Sequence, residues 1–341
     1  MRIHKFSSTE AFIAIDLEGA EASSGPVRWA RKVLQGGAKD LARSQTYTYA
    51  VLGMARGGAS AGISAEGPDR GTAIEAFVAE AGELVASGMY LPDAAKGVAR
   101  DELASLAADD PRDTARMGAF ADHCEGLGAA VVAEKTVGSL DGRSVAIEGF
   151  GAAGPALAAA LAERGAHVTA ISTATGMVSS ATGFPAPALA TSWGTHGADL
   201  VSDLGEVGHG TAIFGSGADI LFAGSKMGII DHSIATQLTA ATAVVPCGRL
   251  PLTARALAVL RNAGVATPAD FVALAGSTLA VWGDVNRTDD EILAGIAEEL
   301  GGLSTRYASH EDGPLLAACY DAEKFLLSWQ ESLPFGRPLA P

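Results

Sequence analysis

Long apolar runs are absent from this 341-residue chain, and none approaches the roughly 18–20 residues that a membrane span requires. The opening stretch, MRIHKFSSTEAF, lacks the charged-then-apolar pattern of a secretory leader, so the cytoplasm is the expected location. Basic residues are few. Lys and Arg number 24 against 39 Asp and Glu, and the resulting net charge of −15 argues against a nucleic-acid or anionic-membrane partner. Cysteine is scarce as well. Cys124, Cys247 and Cys319 lie far apart, with no CxxC pair and no cluster with histidine, so neither a zinc site nor a disulfide framework is expected. No metal is called for.

What the chain does have is small and apolar. Hydrophobic residues make up 48% and charged residues 18%, with 42 glycines, a composition suited to close packing of helices on sheets. The length is comfortable for two domains. The first third reads as mixed, with few clear strands. A helix is expected over 37–56, where Leu41, Ala42, Gln45, Tyr49 and Leu52 fall near one face. The short apolar stretch ASAGIS follows. A second helix is expected in TAIEAFVAEAGELVASG, and a third over roughly 111–135.

The character changes near residue 140. SLDGRSVAIEGF is a turn followed by a buried-strand run, Val145-Ala146-Ile147. GFGAAGPALAAALAERGA is a glycine-rich turn opening an alanine-rich helix, and HVTAIST is a second strand. The later runs ADILFAG, TAVVPCG and DFVALAG each read as a short strand, and their alternation with helical stretches predicts a parallel sheet with crossover helices. NRTDDEILAGIAEEL and PLLAACYDAEKFLLSW read as amphipathic helices, and only the tail PFGRPLAP reads as mobile. The expectation is an α/β protein of two domains. Residues 1–134 form the first domain, 135–295 a doubly wound Rossmann-type domain, and 296–341 helices that return to the first.

The run Gly149-Phe150-Gly151-Ala152-Ala153-Gly154 matches GxGxxG in its required context, after a strand and at a helix start. Gly149 permits the tight turn, Gly151 lets the backbone approach a pyrophosphate, and Gly154 permits close helix–strand packing, with the phosphates against free N–H groups at the helix start. The strand expected to hold the adenosine ribose ends in Ser172-Thr173 rather than in a carboxylate. A 2′-phosphate is therefore not repelled, and NAD and NADP both remain open as the cofactor.

With these motifs in place the chain resembles the glutamate/leucine/phenylalanine/valine dehydrogenases, which oxidatively deaminate amino acids. LARSQTYTYAVLGMARGGASAGI is similar to that family's LARGMTYK and GGGK segments, and Ser24-Gly25-Pro26-Val27-Arg28 to its Gly-Gly-x-Arg segment. EGFGAAGPALA resembles its GFGNVG turn, ADILFAGSK its DILIPAA strand, PLTARA its PLTPEA and ADFVALAGS its PDFVxNAGG. The resemblance implies a substrate domain first, a cofactor domain second and a homo-oligomer. It adds Ala223, Gly224, Ser225 and Leu274 to the cofactor-binding set of Gly149, Phe150, Gly151, Ala152, Ala153, Gly154, Ser172 and Thr173.

The departures from the family bear on chemistry. Its carboxylate-binding lysine is matched by Thr48, its proton-shuttling lysine by Ser60, its aspartate by Ala95 and the asparagine near the nicotinamide by Leu274. An unassisted hydroxyl is no base near neutral pH, and without a cation an α-carboxylate loses its main grip. Ser60, Thr48, Asp93 and Lys96, the last two flanking the vacated aspartate position, are the candidate catalytic positions. Tyr47, Tyr49, Arg56, Lys226 and the pair His123-Cys124 are weaker candidates. The expected activity is NAD(P)-dependent oxidation of a small-molecule substrate that is bulky or aromatic. Alternatives are a redox-neutral lyase or isomerase with tightly held NAD, and a non-catalytic dinucleotide-binding homologue.

Overall fold

A computed structural model describes residues 1–341, and the chain divides into two compact units. Unit 1 holds Met1–Thr114 and Cys319–Pro338, and unit 2 holds Ala115–Ala318 and Leu339–Pro341.

Unit 1 is built on a five-stranded sheet of β1 (Arg2–Lys5), β2 (Ala11–Ile15), β3 (Ser23–Ala30), β4 (Gly57–Ser64) and β5 (Leu91–Ala94), in the order β1-β2-β4-β3-β5. β1 and β2 run antiparallel, as do β2 and β4, while β3 runs parallel to both β4 and β5. β4 reads in the sequence only as the short apolar stretch ASAGIS, and the other four strands are not foreseen. They are short or interrupted by Pro26 and Pro92, and SSGPVRWA carries no regular alternation of apolar and polar residues to announce it.

The sheet carries helices α1 (Gln35–Val51) and α2 (Arg70–Ala86). Alternate side chains of β4 divide between two faces. Ala59, Ala61 and Ile63 join Ile13, Ile15 and Val27 in a core closed by Ile74 and Phe77 of α2. On the other face Gly58 lies directly under α1. A Cβ there would stand 1.9 Å from the carbonyl oxygen of Ala42 and 2.6 Å from the nitrogen of Thr46, so only glycine permits the approach. The Gly58 N–H donates to Thr46 Oγ1 at 2.9 Å, and α1 is buried without a break from Leu41 to Val51.

Unit 2 contains α3 (Ala119–Val137), β6 (Ser144–Glu148), α4 (Gly154–Glu163), β7 (His167–Thr173), β8 (Gly176–Ser179), α5 (Ala186–His196), α6 (Leu200–Leu204) and β9 (Ile220–Ala223). It continues with α7 (His232–Gln237), β10 (Ala243–Pro246), α8 (Ala254–Asn262), α9 (Asp270–Ala273), α10 (Ala275–Trp282) and α11 (Asp289–Ala308). The last helix, α12 (Pro314–Leu326), contains the point at which the chain returns to unit 1. The sheet order is β10-β9-β6-β7-β8, parallel except for the edge strand β8. Val145, Ile147, Phe222 and Val245 form its core with Leu157 and Leu161 of α4 and Ala129, Ala130 and Ala133 of α3.

Four expectations are corrected here. The division falls after Thr114 rather than Glu134, because α3 is part of the second unit's core. Gly126 of α3 lies so close to α4 that a Cβ would stand 2.6 Å from the nitrogen of Leu157. The return to unit 1 comes at Cys319 rather than residue 296, since α11 packs on α3. DFVALAG is no strand: Asp270–Ala273 and Ala275–Trp282 are helices, and a short apolar run does not separate the two states by periodicity. The tail is tied down. The Arg43 guanidinium donates to the carbonyls of Phe335 and Gly336, Arg337 pairs with Glu323 at 2.6 Å, and the Ala340 N–H reaches the Leu252 carbonyl at 3.0 Å.

Candidate functional site

The direction of winding in unit 2 reverses at β6, which lies between β7 and β9, and the glycine turn follows β6 at this switch point. Gly149 has φ +84°, and a Cβ there would lie 2.5 Å from the nitrogen of Ser225. The N–H groups of Gly149 and Phe150 both donate to the Ser172 carbonyl, at 3.1 and 2.8 Å. Those of Gly151, Ala152 and Ala153 donate to no group of the chain, and they open the ten-residue helix α4. At Gly151 an added Cβ would meet nothing nearer than the Gly149 carbonyl at 3.7 Å, which leaves open space over the turn. Three free donors, a helix start and room above them fit the pyrophosphate of a dinucleotide.

Several expected cofactor contacts are otherwise employed. The ring of Phe150 is buried edge-on to Trp193, so neither its side chain nor its N–H faces a ligand. Gly154 serves that ring: a Cβ there would stand 2.8 Å from it, which replaces the expected helix–strand contact. The N–H groups of Gly224 and Ser225 donate to the Glu148 carboxylate, both at 3.0 Å. Thr173 Oγ1 donates to the Ala198 carbonyl at 2.7 Å, while Ser172 is buried. Ala223 is also buried, and its carbonyl accepts from the Cys247 N–H at 2.9 Å.

Beside the turn lies a cavity of ≈ 220 Å³, whose walls include Gly151, Ala153, Gly224, Cys247, Leu274 and Glu125. Leu274 thus lines the same cavity as the glycine turn. Glu125 was missed, and so were Asp122, which shares the cavity, and Cys247. Burial pushes the Glu125 carboxyl up to about 7, Asp122 adds to the rise, and Arg249 and the hydrogen bond from Ser277 Oγ at 3.2 Å oppose it. Burial also raises Asp122. The Cys247 thiol is held well above its ordinary range by burial and by the nearby carboxylates Glu148 and Glu125. The available signal was the acidic pair at i and i+3 on a helix otherwise rich in glycine and alanine, which places both on one face. Leu250, the one non-glycine residue with positive φ (53°), has its N–H held by the buried Asp270 at 3.0 Å.

In unit 1 two of the four candidate positions, Thr48 and Ser60, are enclosed. Thr48 is fully buried and its Oγ1 donates back to the Ser44 carbonyl at 3.2 Å. Ser60 is fully buried too, and its Oγ has no hydrogen-bond partner. It shares the sheet face of Gly58 and Gly62, one residue either side of it in the alternation. Nearby on α1 the Tyr49 hydroxyl hydrogen-bonds Ser24 Oγ. Asp93 of β5 lies opposite Pro26 in the register and pairs with Arg112, whose guanidinium also binds Asp110 at 2.7 Å. Lys96 is exposed, and its carbonyl accepts from the Trp29 N–H. Ala95, at the family's aspartate position, donates its N–H to the Val27 carbonyl. Tyr47 is buried with its hydroxyl 3.2 Å from Glu323. Of the weaker candidates in unit 2, Lys226 and His123 are exposed and Cys124 is buried. Among His, Cys, Asp and Glu no group of three stands together to hold a metal ion, and no helix is long and apolar enough to cross a membrane.

Residues 122–286, nearly the whole α/β part of unit 2, match the family model described as Glutamate/Leucine/Phenylalanine/Valine dehydrogenase. The match spans 165 of the 341 residues, a little under half of the chain. Among solved structures, the leucine-bound hetero-hexameric glutamate dehydrogenase of Thermus thermophilus superposes with a TM-score of 0.76 at 21% identity, covering 95% of this chain and 85% of that one. The L-tryptophan dehydrogenase of Nostoc punctiforme superposes at 0.65 and 18% identity, with 97% of each chain covered. A Plasmodium falciparum glutamate dehydrogenase gives 0.71 at 14%, covering 93% of this chain and 79% of that one. No curated protein matches the sequence. At these identities the superpositions establish the amino-acid-dehydrogenase fold, and they extend it over nearly the whole chain.

Proposed function

We propose that the protein is an NAD(P)-dependent oxidoreductase of the amino-acid-dehydrogenase type whose substrate is not one of the ordinary amino acids of that family. The observation that carries the cofactor half of this reading is the set of three unpaired N–H groups, Gly151, Ala152 and Ala153, at the start of α4. The N–H groups of Gly151, Ala152 and Ala153 hold the pyrophosphate, and Leu274 gives the nicotinamide end an apolar wall. The cofactor supplies hydride acceptance, and the chain supplies orientation and the shielding of the ring from water.

The substrate half rests on Thr48, Ser60 and Ala95. Together they withdraw two cations and a carboxylate from the positions that resemble the family's deamination residues. A less charged site favours a bulky, apolar or aromatic molecule, since each Å² of apolar area buried contributes about 25 cal/mol. Of the four candidate catalytic positions, Asp93 is the partly exposed carboxylate, and we take it as the acid–base candidate in preference to the enclosed Thr48 and Ser60 or the exposed Lys96. An assembly of several copies belongs to the same reading, because the Thermus thermophilus structure is of a hexamer.

The test is nicotinamide absorbance with purified protein, NAD⁺ or NADP⁺, and a panel of substrates. Glutamate, leucine, valine and phenylalanine are expected to give rates about 10²–10⁴-fold below those of an ordinary family enzyme, the usual cost of lost acid–base help. Aromatic or otherwise bulky amines and alcohols are expected to give the larger signals. A turnover on the order of 1–100 s⁻¹ with any of the four amino acids would contradict the reading.

A further inference from the structure

Asp122 and Glu125 bring two carboxyl groups into the cavity beside the glycine turn, where a pyrophosphate-binding site would ordinarily exclude them. The cavity lies on one side of the turn. Ser172 and Thr173, at the end of β7, flank the opposite side, whereas Gly224 and Cys247, just beyond β9 and β10, line the cavity itself. A dinucleotide laid across the carboxyl ends of such a sheet has its pyrophosphate at the turn and its two nucleosides on opposite sides of it. The adenosine half then falls toward β7, and the nicotinamide half toward β9 and β10, where Glu125 stands.

We propose that Glu125 is a specificity-determining residue of the cofactor site, selecting between the two redox forms of the nicotinamide ring by exchanging one proton for the ring's positive charge. The inference rests on the cofactor reading above. The oxidised ring is cationic and the reduced ring neutral, so an adjacent carboxylate is paired in one complex and unpaired in the other. With the reduced ring the carboxyl holds its proton, and with the oxidised ring it releases it. The two complexes thus carry the same local charge, and no covalent step is involved.

The surroundings of Glu125 set this exchange near neutral pH. Asp122 on its own helix and its burial favour the neutral form; Arg249, from the segment after β10, and Ser277 Oγ, from α10, favour the ionised one. The thiol of Cys247 stays protonated, because burial and the carboxylates of Glu148 and Glu125 hold it high. The balance leaves Glu125 titrating at about 7. The sign follows. Affinity for the reduced form is complete below that value and falls as pH rises through it, while affinity for the oxidised form rises with pH up to it.

Titration of the full chain with NADH and NADPH by nicotinamide fluorescence, and with NAD⁺ and NADP⁺ by calorimetry, reads this directly. Between about pH 6 and about pH 8.5 the ratio of oxidised to reduced dissociation constants is expected to fall by about tenfold or more, a tenfold change per shifted pK unit. Glu125→Gln should bind both forms with a ratio independent of pH. Proton counting on the unaltered protein, by calorimetry in two buffers of different ionisation enthalpy, gives a second reading that does not depend on the variant's folding. Reduced cofactor should take up a proton just above neutral pH, and oxidised cofactor should release one just below it. A flat ratio in the unaltered protein, or a slope that survives in Glu125→Gln, overturns the inference while leaving the cofactor reading intact. Binding of neither form at any pH overturns both.

Discussion

The two units treat their polar groups in opposite ways. In unit 2 the turn after β6 leaves the N–H groups of Gly151, Ala152 and Ala153 unsatisfied under open space. In unit 1 the face that resembles the family's substrate side is closed on itself: Tyr49 is bonded to Ser24, and Arg112 to Asp93 and Asp110. Donors left free at a helix start are satisfied by water, a cap or a ligand, and under open space they suit an anion. Of these side chains Asp93 alone is partly exposed, and the others, paired and buried, have no such claim on a ligand. The difference teaches that the two halves of the resemblance carry unequal weight. The cofactor half keeps its motif on a turn whose donors are free, while the substrate half keeps the motif's glycines and loses its charges.

Two substitutions in unit 1 sharpen that contrast. Arg112→Met should have the larger effect. Its guanidinium is 1% exposed and Asp110 is 4% exposed, so removing the cation strands a buried carboxylate at a cost of about 3–5 kcal/mol, read as a lower urea midpoint. A loss below about 1 kcal/mol would mean that this cluster is open and hydrated, and the closed face would have to be given up. Ser60→Ala should have the smaller effect. Its Oγ is buried without a partner, so deletion of the hydroxyl is expected to be neutral or stabilising by up to about 1 kcal/mol in the same assay. A destabilisation of 1 kcal/mol or more would show that the hydroxyl is satisfied in the folded protein, and Ser60 would no longer count as an orphan.

Legibility in the sequence followed the same division. Val145–Ile147, the glycine turn and HVTAIST could be read because a fully apolar strand, a glycine-rich turn and an alanine-rich helix each carry a local signal. The sheet of unit 1 could not be read. Its β4 is a row of glycine, alanine and serine, chosen for the close approach of α1 rather than for strand propensity, and its neighbours are short or broken by proline. Gly149, Gly151, Ala152, Ala153, Gly154 and Leu274, all named from motifs, line one cavity of the folded chain. Motif matching also assigned Phe150, Gly224 and Ser225 to the cofactor, although the Phe150 N–H serves Ser172 and the N–H groups of the other two serve Glu148. Glu125 escaped notice because its significance depends on α10 and the segment after β10, which meet α3 only in the folded chain.

The central claim is that the turn after β6 holds a dinucleotide through free backbone donors, and Gly151→Asp tests it most directly. An aspartate at this position puts bulk and a negative charge where the pyrophosphate would lie, while the absence of any neighbour within 3.7 Å of its Cβ lets the fold accommodate it. Nicotinamide fluorescence titration of the unaltered protein should saturate with NADH or NADPH. The variant, with an unchanged circular dichroism spectrum, should lose about 100-fold or more in affinity, roughly 2.7 kcal/mol or more. Equal affinity in the folded variant would contradict the account and remove Gly151 from the site.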